Sequence, residues 1–266
     1  MPKLAANITM LFTEYPLADR FERAAANGFG GVEMLFPYEM RANEVQDLLR
    51  EHHLDLVLFN LPAGDWAAGD RGIAADTNRV DEFRNGVDKA VTYAEALKPR
   101  RVNCLVGKAD DVSATRSVML ENIVYAADAL ATVNTRLVIE PVNTQDVEGF
   151  AIPDTAAARS VLAEIEHPNV GLQFDVYHSL RMGEDPLAII RELGASLDHI
   201  QIADVPGRHQ PGTGELDFEQ VFATIDSSGY TGWVSLEYNP AGHTEEGFGH
   251  LRELGYLDTS ASRQDR

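Results

Sequence analysis

Short apolar runs of strand length alternate along this chain with longer segments in which apolar residues recur at helical spacing. The runs fall at 3–7, 31–35, 54–60, 101–105, 136–140, 170–175, 197–203 and 232–237. Helical periodicity is predicted over 18–27, where Gly28 stops it, and over 43–52, 79–97 and 114–132. It resumes in a helix capped by Asp154 or Thr155, and again over 186–193, 217–228 and 244–254. A helix between successive strands is the crossover that a parallel sheet requires. Eight such units in 266 residues predict an α/β fold, a closed (β/α)8 TIM barrel, rather than an open doubly wound sheet. No Gly-x-Gly-x-x-Gly follows the first run, so the dinucleotide-binding alternative loses its main support. With no Pro/Ser-rich linker and no low-complexity stretch, a single domain is expected over 1–266, its barrel spanning about 3–257 and a short tail following at 258–266.

Composition narrows the setting. The apolar fraction of 44% and charged fraction of 24% are ordinary for a globular chain. No run approaches the ~18 apolar residues that a membrane span needs. The start, Met1-Pro2-Lys3-Leu4, runs at once into strand-like sequence without the pattern of an export signal. One cysteine, Cys104, cannot form an intramolecular disulfide, and a reducing cytoplasm is the expected location. The 22 basic and 42 acidic side chains leave a formal charge of −20, a field that repels polyanions. Nucleic acid and anionic membranes are therefore not expected as partners, while composition leaves a homo-oligomer open. If the substrate is itself an anion, the pocket must supply local positive charge.

In such a barrel, chemistry sits at the C-terminal ends of the strands. There the fifth run reads Val138-Ile139-Glu140, the sixth Gln173-Phe174-Asp175, the seventh Ile200-Gln201-Ile202 and the eighth Ser235-Leu236-Glu237. Four consecutive strands thus present Glu140, Asp175, Gln201 and Glu237 near one rim. Any one of them reads equally well as a helix cap, a loop acceptor or a salt-bridge partner. Gln201 is the weakest member, since buried glutamines commonly bond backbone. Together, unpaired carboxylates in a water-poor mouth are costly through desolvation and repulsion, and one divalent cation removes both costs. An oxygen-only ligand set favours Mg2+ or Mn2+ over Zn2+. His178, three residues beyond Asp175, reads either as a hydrogen-bond partner of a substrate oxygen or as a partly exposed loop histidine.

Longer segments carry a family resemblance. They include Asn7-Ile8-Thr9-Met10-Leu11-Phe12, Gly31-Val32-Glu33, Asn60-Leu61-Pro62-Ala63-Gly64-Asp65-Trp66 and Arg71-Gly72-Ile73-Ala74. They continue with Asn103-Cys104-Leu105-Val106-Gly107-Lys108, Ile139-Glu140-Pro141, Gln201-Ile202-Ala203-Asp204 and Pro211-Gly212-Thr213-Gly214-Glu215. Over nearly its whole length the chain resembles the hydroxypyruvate isomerase family of xylose isomerase-like barrels. The resemblance implies Glu140, Asp175, Gln201 and Glu237 as metal ligands, with Glu140 and Glu237 as the proton-transfer pair. It implies His178 and Arg208 as substrate contacts, by likeness to ketose 3-epimerases. Those epimerases carry a histidine where Gln201 stands, which argues against epimerase activity here.

The implied substrate is a small anionic keto acid, hydroxypyruvate, converted to 2-hydroxy-3-oxopropanoate through an enediolate. Isomerases of 2-oxo-tetronate share much of the pattern and supply the alternative, as does a non-catalytic barrel that binds sugar acids. A multi-zinc endonuclease would need more histidines at strand ends and a basic face. Arg71, Lys108 and Arg208, in loops after the third, fourth and seventh strands, are the candidate cations for the substrate carboxylate; each also reads as a solvated loop charge. Asn60 and Asn7 end strands and read as hydroxyl partners or loop caps. Trp66 reads as a lid or a hydrophobic anchor, Cys104 as inert, and Pro211-Gly212-Thr213-Gly214 as a turn rather than a phosphate loop.

Overall fold

The structure is a computed structural model in which residues 2–257 are described; the tail expected at 258–266 lies outside them. Eight parallel strands close a barrel in chain order: β1 (Lys3–Asn7), β2 (Gly31–Met34), β3 (Asp55–Asn60), β4 (Arg101–Cys104), β5 (Arg136–Ile139), β6 (Val170–Asp175), β7 (His199–Ile202) and β8 (Trp233–Leu236). The ring is sealed where β8 pairs with β1, Lys3 opposite Trp233 and Ala6 opposite Leu236. The predicted barrel is the one that forms. Glu140 and Glu237 stand one residue past the last residues of β5 and β8, at the barrel mouth.

Around the barrel lie α1 (Asp19–Ala26), α2 (Ala42–Glu51), α3 (Val80–Leu97), α4 (Val112–Ala131), α5 (Thr155–Ile165), α6 (Val176–Arg181), α7 (Pro186–Leu193), α8 (Phe218–Ser227) and α9 (Gly249–Glu253). Five of them begin on an aspartate whose side chain accepts backbone N–H groups: Asp111, Asp154, Asp175, Asp185 and Asp217. Each such cap contributes about 1 kcal/mol. The cap of α5 is thus Asp154, not Thr155. The helix expected over 244–254 divides into a 3-10 turn, Thr244–Phe248, and α9; Gly247 and Gly249 interrupt it with residues of poor helix propensity. The short α6 had no forecast, because six residues are too few to show a period. It follows β6 directly, and Asp175 is both the last residue of that strand and the helix cap.

The apolar core fills the space between strands and helices, with Phe21, Phe59, Phe83, Ile123, Phe174 and Phe222 among its members. The barrel interior is different. Asn7, Glu33, Asn103, Gln173, His199, Gln201 and Ser235 are all buried there, at 1% exposure or less.

Two loop devices brace the mouth. After β7, the buried Asp204 carboxylate accepts N–H groups from Val205, Gly212, Gly214 and Leu216, so the whole 205–216 segment wraps on one side chain. The Pro211-to-Glu215 motif is therefore a turn, as its composition suggested. The long loop after β3 is tied to the one after β4 by an isolated antiparallel bridge between Gly72 and Val106. At Gly72, φ is +105° and a Cβ would lie 1.9 Å from the Leu105 carbonyl oxygen. Gly69 has φ +102° with open space around it. Gly69→Ala should therefore cost only the ~1–2 kcal/mol of backbone strain, whereas Gly72→Ala should cost at least about twice that. Thermal unfolding of the two variants checks this, at roughly 2–4 °C per kcal/mol for a chain near this size; equal shifts would remove crowding as the reason for Gly72.

Candidate active site

Glu140, Asp175, Gln201 and Glu237 come together at the C-terminal mouth, and all four are buried. Each glutamate is held from the neighbouring strand by an asparagine. Asn103 on β4 donates to Glu140 Oε2 at 2.8 Å, and Asn7 on β1 donates to Glu237 Oε2 at 3.0 Å. Asp175 Oδ1 accepts the Tyr177 N–H at 2.8 Å as the helix cap, leaving Oδ2 toward the mouth. Arg208 spans the gap: its Nη2 lies 2.8 Å from Glu237 Oε1 and 3.2 Å from Asp175 Oδ2. Its guanidinium also rests over the Tyr177 ring at 5.0 Å, and Tyr177 donates its hydroxyl to Asp146 at 2.8 Å.

Gln201 has a defined amide orientation. Its Oε1 accepts from Gln173 Nε2 at 2.6 Å, while its Nε2 donates to Glu33 Oε2 at 3.0 Å and also to Glu237 Oε2. The amide oxygen expected to face a cation thus points toward β6.

His178 is buried in α6 rather than partly exposed in a loop. The Asn143 backbone N–H donates to its Nδ1 at 3.4 Å, which places the ring proton on Nε2. That Nε2 lies 3.9 Å from Glu140 and 3.7 Å from Asp175, beyond hydrogen-bond reach. Burial, and then the Arg208 charge, hold the imidazole well below its ordinary pKa, so it is neutral.

The carboxylates shift the other way. Burial first, and then Glu237 and Asp175, push Glu140 well above the usual carboxylate range. Burial raises Asp175 despite the opposing Arg208 charge. Glu237 is pushed up to about 7, chiefly by burial, with Glu33 and Asp175 adding to the rise and Arg208 opposing it. Arg208 itself is raised: burial works against its charge, but Glu237, Asp175 and Glu140 outweigh it. Glu140, Asp175 and His178 each bring one ligand atom within 4.8 Å of the others. Buried, crowded carboxylates of raised pKa form a donor set that a divalent cation would suit.

The cavity above these groups has a volume of about 210 Å3 and is lined by Asn60, Arg71, Glu140, His178, Arg208 and Glu237, among others. The Arg71 guanidinium carbon lies 3.9 Å from the centroid of the Trp66 ring, and Arg71 donates to the Asp70 carbonyl at 2.7 Å. Trp66 is 39% exposed and packs edge-on against Phe36, so it shelters one wall of the cavity. Asn60 is buried, and its carbonyl accepts the Tyr38 hydroxyl at 2.8 Å. Lys108, expected beside the substrate, is exposed and does not line the cavity. The chain turns outward at Gly107, Lys108 bridges to Phe150, and its charge falls near Asp70 instead. Cys104 is buried with its thiol pushed up to about 12, so it is unreactive.

Sequence reading missed Asn103, Asn143, Gln173, Glu33 and His199 as members of this network. A signal was available for some of them: Glu33 between Val32 and Met34, and Gln173 between Leu172 and Phe174, are polar residues inside otherwise apolar strands.

Comparison with known proteins adds an independent line. The sequence profile described as xylose isomerase-like TIM barrel matches residues 21–254. Hydroxypyruvate isomerase of Escherichia coli (strain K12) is 42% identical over 253 residues, covering 93% of this chain and 97% of that protein. A 2-oxo-tetronate isomerase of Cupriavidus necator is 40% identical over 256 residues, covering 95% and 98%. A crystal structure described as AP endonuclease, family 2 from Brucella melitensis superposes with a TM-score of 0.93 at 42% identity, covering 97% of this chain and 100% of that one. D-allulose 3-epimerase from Methylomonas sp. in complex with D-allulose shares the fold, with a TM-score of 0.74 at 20% identity, covering 99% of this chain and 93% of that one.

The raised Glu237 carboxyl has a sign that can be measured. It binds its proton more tightly in the folded than in the unfolded chain, so its contribution to stability is complete below the ordinary value of 4.5 and is lost as pH rises to about 7. In chelator-treated protein, the stability of wild type relative to Glu237→Gln should fall by about 3 kcal/mol across that window. Denaturant unfolding at a series of pH values tests this; a flat difference would remove the raised pKa.

Proposed function

Because the chain belongs to the hydroxypyruvate isomerase family of xylose isomerase-like TIM barrels, we propose that this keto-acid isomerase interconverts hydroxypyruvate and 2-hydroxy-3-oxopropanoate by proton transfer through an enediolate. The observation that carries the reading is the pair Glu140 and Glu237. Both are buried at one cavity, each is fixed by an asparagine of the adjacent strand, and both are raised in pKa. Moving a carbonyl by one carbon requires a proton to leave one carbon and another to arrive at its neighbour. Two carboxylates at the mouth can divide that work, and a pKa of about 7 lets Glu237 both accept and release a proton near neutrality.

Glu140, Asp175 and Glu237 would hold a Mg2+ or Mn2+ ion, with Gln201 as a fourth ligand if its amide turns from Gln173. When bound, that ion supplies positive charge to the substrate's carbonyl and hydroxyl oxygens. The neutral His178 offers its Nε2–H to a substrate oxygen. Arg71 and Arg208 would supply the positive charge that an anionic substrate needs in a chain of net charge −20, and Asn60, which lines the cavity, would bond a substrate hydroxyl.

A 2-oxo-tetronate substrate is the second reading, supported by the Cupriavidus necator relative at 40% identity. Nucleic acid, suggested by the name of the Brucella melitensis structure, is disfavoured by the charge of −20.

The decisive experiment is exchange of substrate carbon-bound hydrogen with deuterated water. Wild type with Mn2+ should exchange, chelator should stop it, and Glu140→Gln and Glu237→Gln should each lose at least ~10^3-fold, within the range of a lost acid–base group. Full exchange in either variant would end its role as a proton carrier. Arg71→Ala should raise KM for hydroxypyruvate about ten-fold or more with kcat little changed, as expected for uniform binding lost from a bidentate contact. An unchanged KM would assign the carboxylate to Arg208 instead, and assays of hydroxypyruvate and 2-oxo-tetronate side by side decide the substrate.

A further inference from the structure

The proposed chemistry leaves one buried carboxylate unused. Glu33 stands in β2 with no exposed surface and does not line the cavity. Its Oε1 faces His199 Nε2 on β7, and its Oε2 accepts from Nε2 of Gln201, two residues further along the same strand, at 3.0 Å.

A side-chain amide has a donor end and an acceptor end, whereas an ionised carboxylate only accepts. Turning Gln201 over would set its oxygen against the Glu33 oxygen that now accepts from Nε2 and break that hydrogen bond. Gln173, which holds the other end at 2.6 Å, cannot fix the choice. Its own amide oxygen has no partner, so both amides can turn over together and keep their mutual bond. Glu237 accepts from the same Nε2 but lines the cavity, whereas Glu33 does not. Glu33 lies away from the substrate and is backed by His199, so it is the member that stays put.

We infer that Glu33 is a positioning residue: its contact with Gln201 Nε2, beside His199, keeps the donor end of the Gln201 amide on Glu237, the reacting carboxylate and proposed ligand. The inference rests on the proposed use of that site, but it concerns Gln201 rather than the reaction. With Nε2 anchored on β2 and the amide oxygen held by Gln173, Gln201 orients Glu237 through its donor end.

The test uses the full chain and two readouts. The first is solvent exchange of the Gln201 side-chain NH2, followed by NMR in metal-free protein and assigned with Gln201→Leu. It should quicken by about ten-fold or more in Glu33→Gln. The second is Mn2+ affinity by titration. It should weaken by about 10–100-fold in Glu33→Gln, the range for residues that orient a ligand, and Glu33→Gln should add nothing in a Gln201→Leu background. If Glu33 served only to stabilise the barrel, Glu33→Gln would lower the unfolding temperature with NH2 exchange and Mn2+ affinity unchanged. That result, or additive effects in the double variant, would overturn the inference. Should Glu33→Gln fail to fold, His199→Gln, which removes the brace and keeps the carboxylate, should shift both readouts in the same direction. A wild type that binds no Mn2+ would end the metal reading while leaving NH2 exchange to decide the role of Glu33.

Discussion

Four carboxylates, Glu33, Glu140, Asp175 and Glu237, lie within one closed barrel where neither bulk water nor distance can relieve them. Each must be matched by a donor or a positive charge, and the surrounding polar structure follows from that need. Asn7 and Asn103 hold the two glutamates at the mouth, the start of α6 receives one oxygen of Asp175, and Gln201 with His199 takes up Glu33. Arg208 places a positive charge directly between Asp175 and Glu237.

The barrel makes this matching economical. Parallel register sets β1 beside β8 and β4 beside β5, so an asparagine near the end of one strand meets the glutamate just past the end of the next. Arg208 depends on a different device. It belongs to the loop that Asp204 gathers through four backbone N–H groups, and it adopts a φ of +53° within that loop. A buried carboxylate that touches no substrate thereby delivers the cation that does reach the site.

Pairing is incomplete by design of the donor set. Asn7, Asn103 and Arg208 lower the carboxyl pKa values but do not offset burial, and Glu237 is left at about 7. The proposed proton carriage and the proposed affinity for a divalent cation both rest on that residual imbalance. Against the charge of −20 on the chain, Arg71 and Arg208 are a local exception, an arrangement suited to the small anion proposed as substrate.

Much of this was legible in the sequence alone. The strand–helix alternation contained the barrel, because the period of apolar residues is a local property fixed by which face each residue turns to the core. The residues ending the fifth to eighth runs contained Glu140, Asp175, Gln201 and Glu237, because strand ends in a barrel share one rim. Tertiary structure decided the rest. Lys108 left the cavity because one turn at Gly107 sent it outward, and His178 entered the interior because α6 begins directly on Asp175. Gln201 turned its amide toward Glu33, a residue 168 positions away in the chain. Orientation of a side-chain amide, and the partner that fixes it, depend on contacts between strands distant in sequence, and no local pattern encodes them.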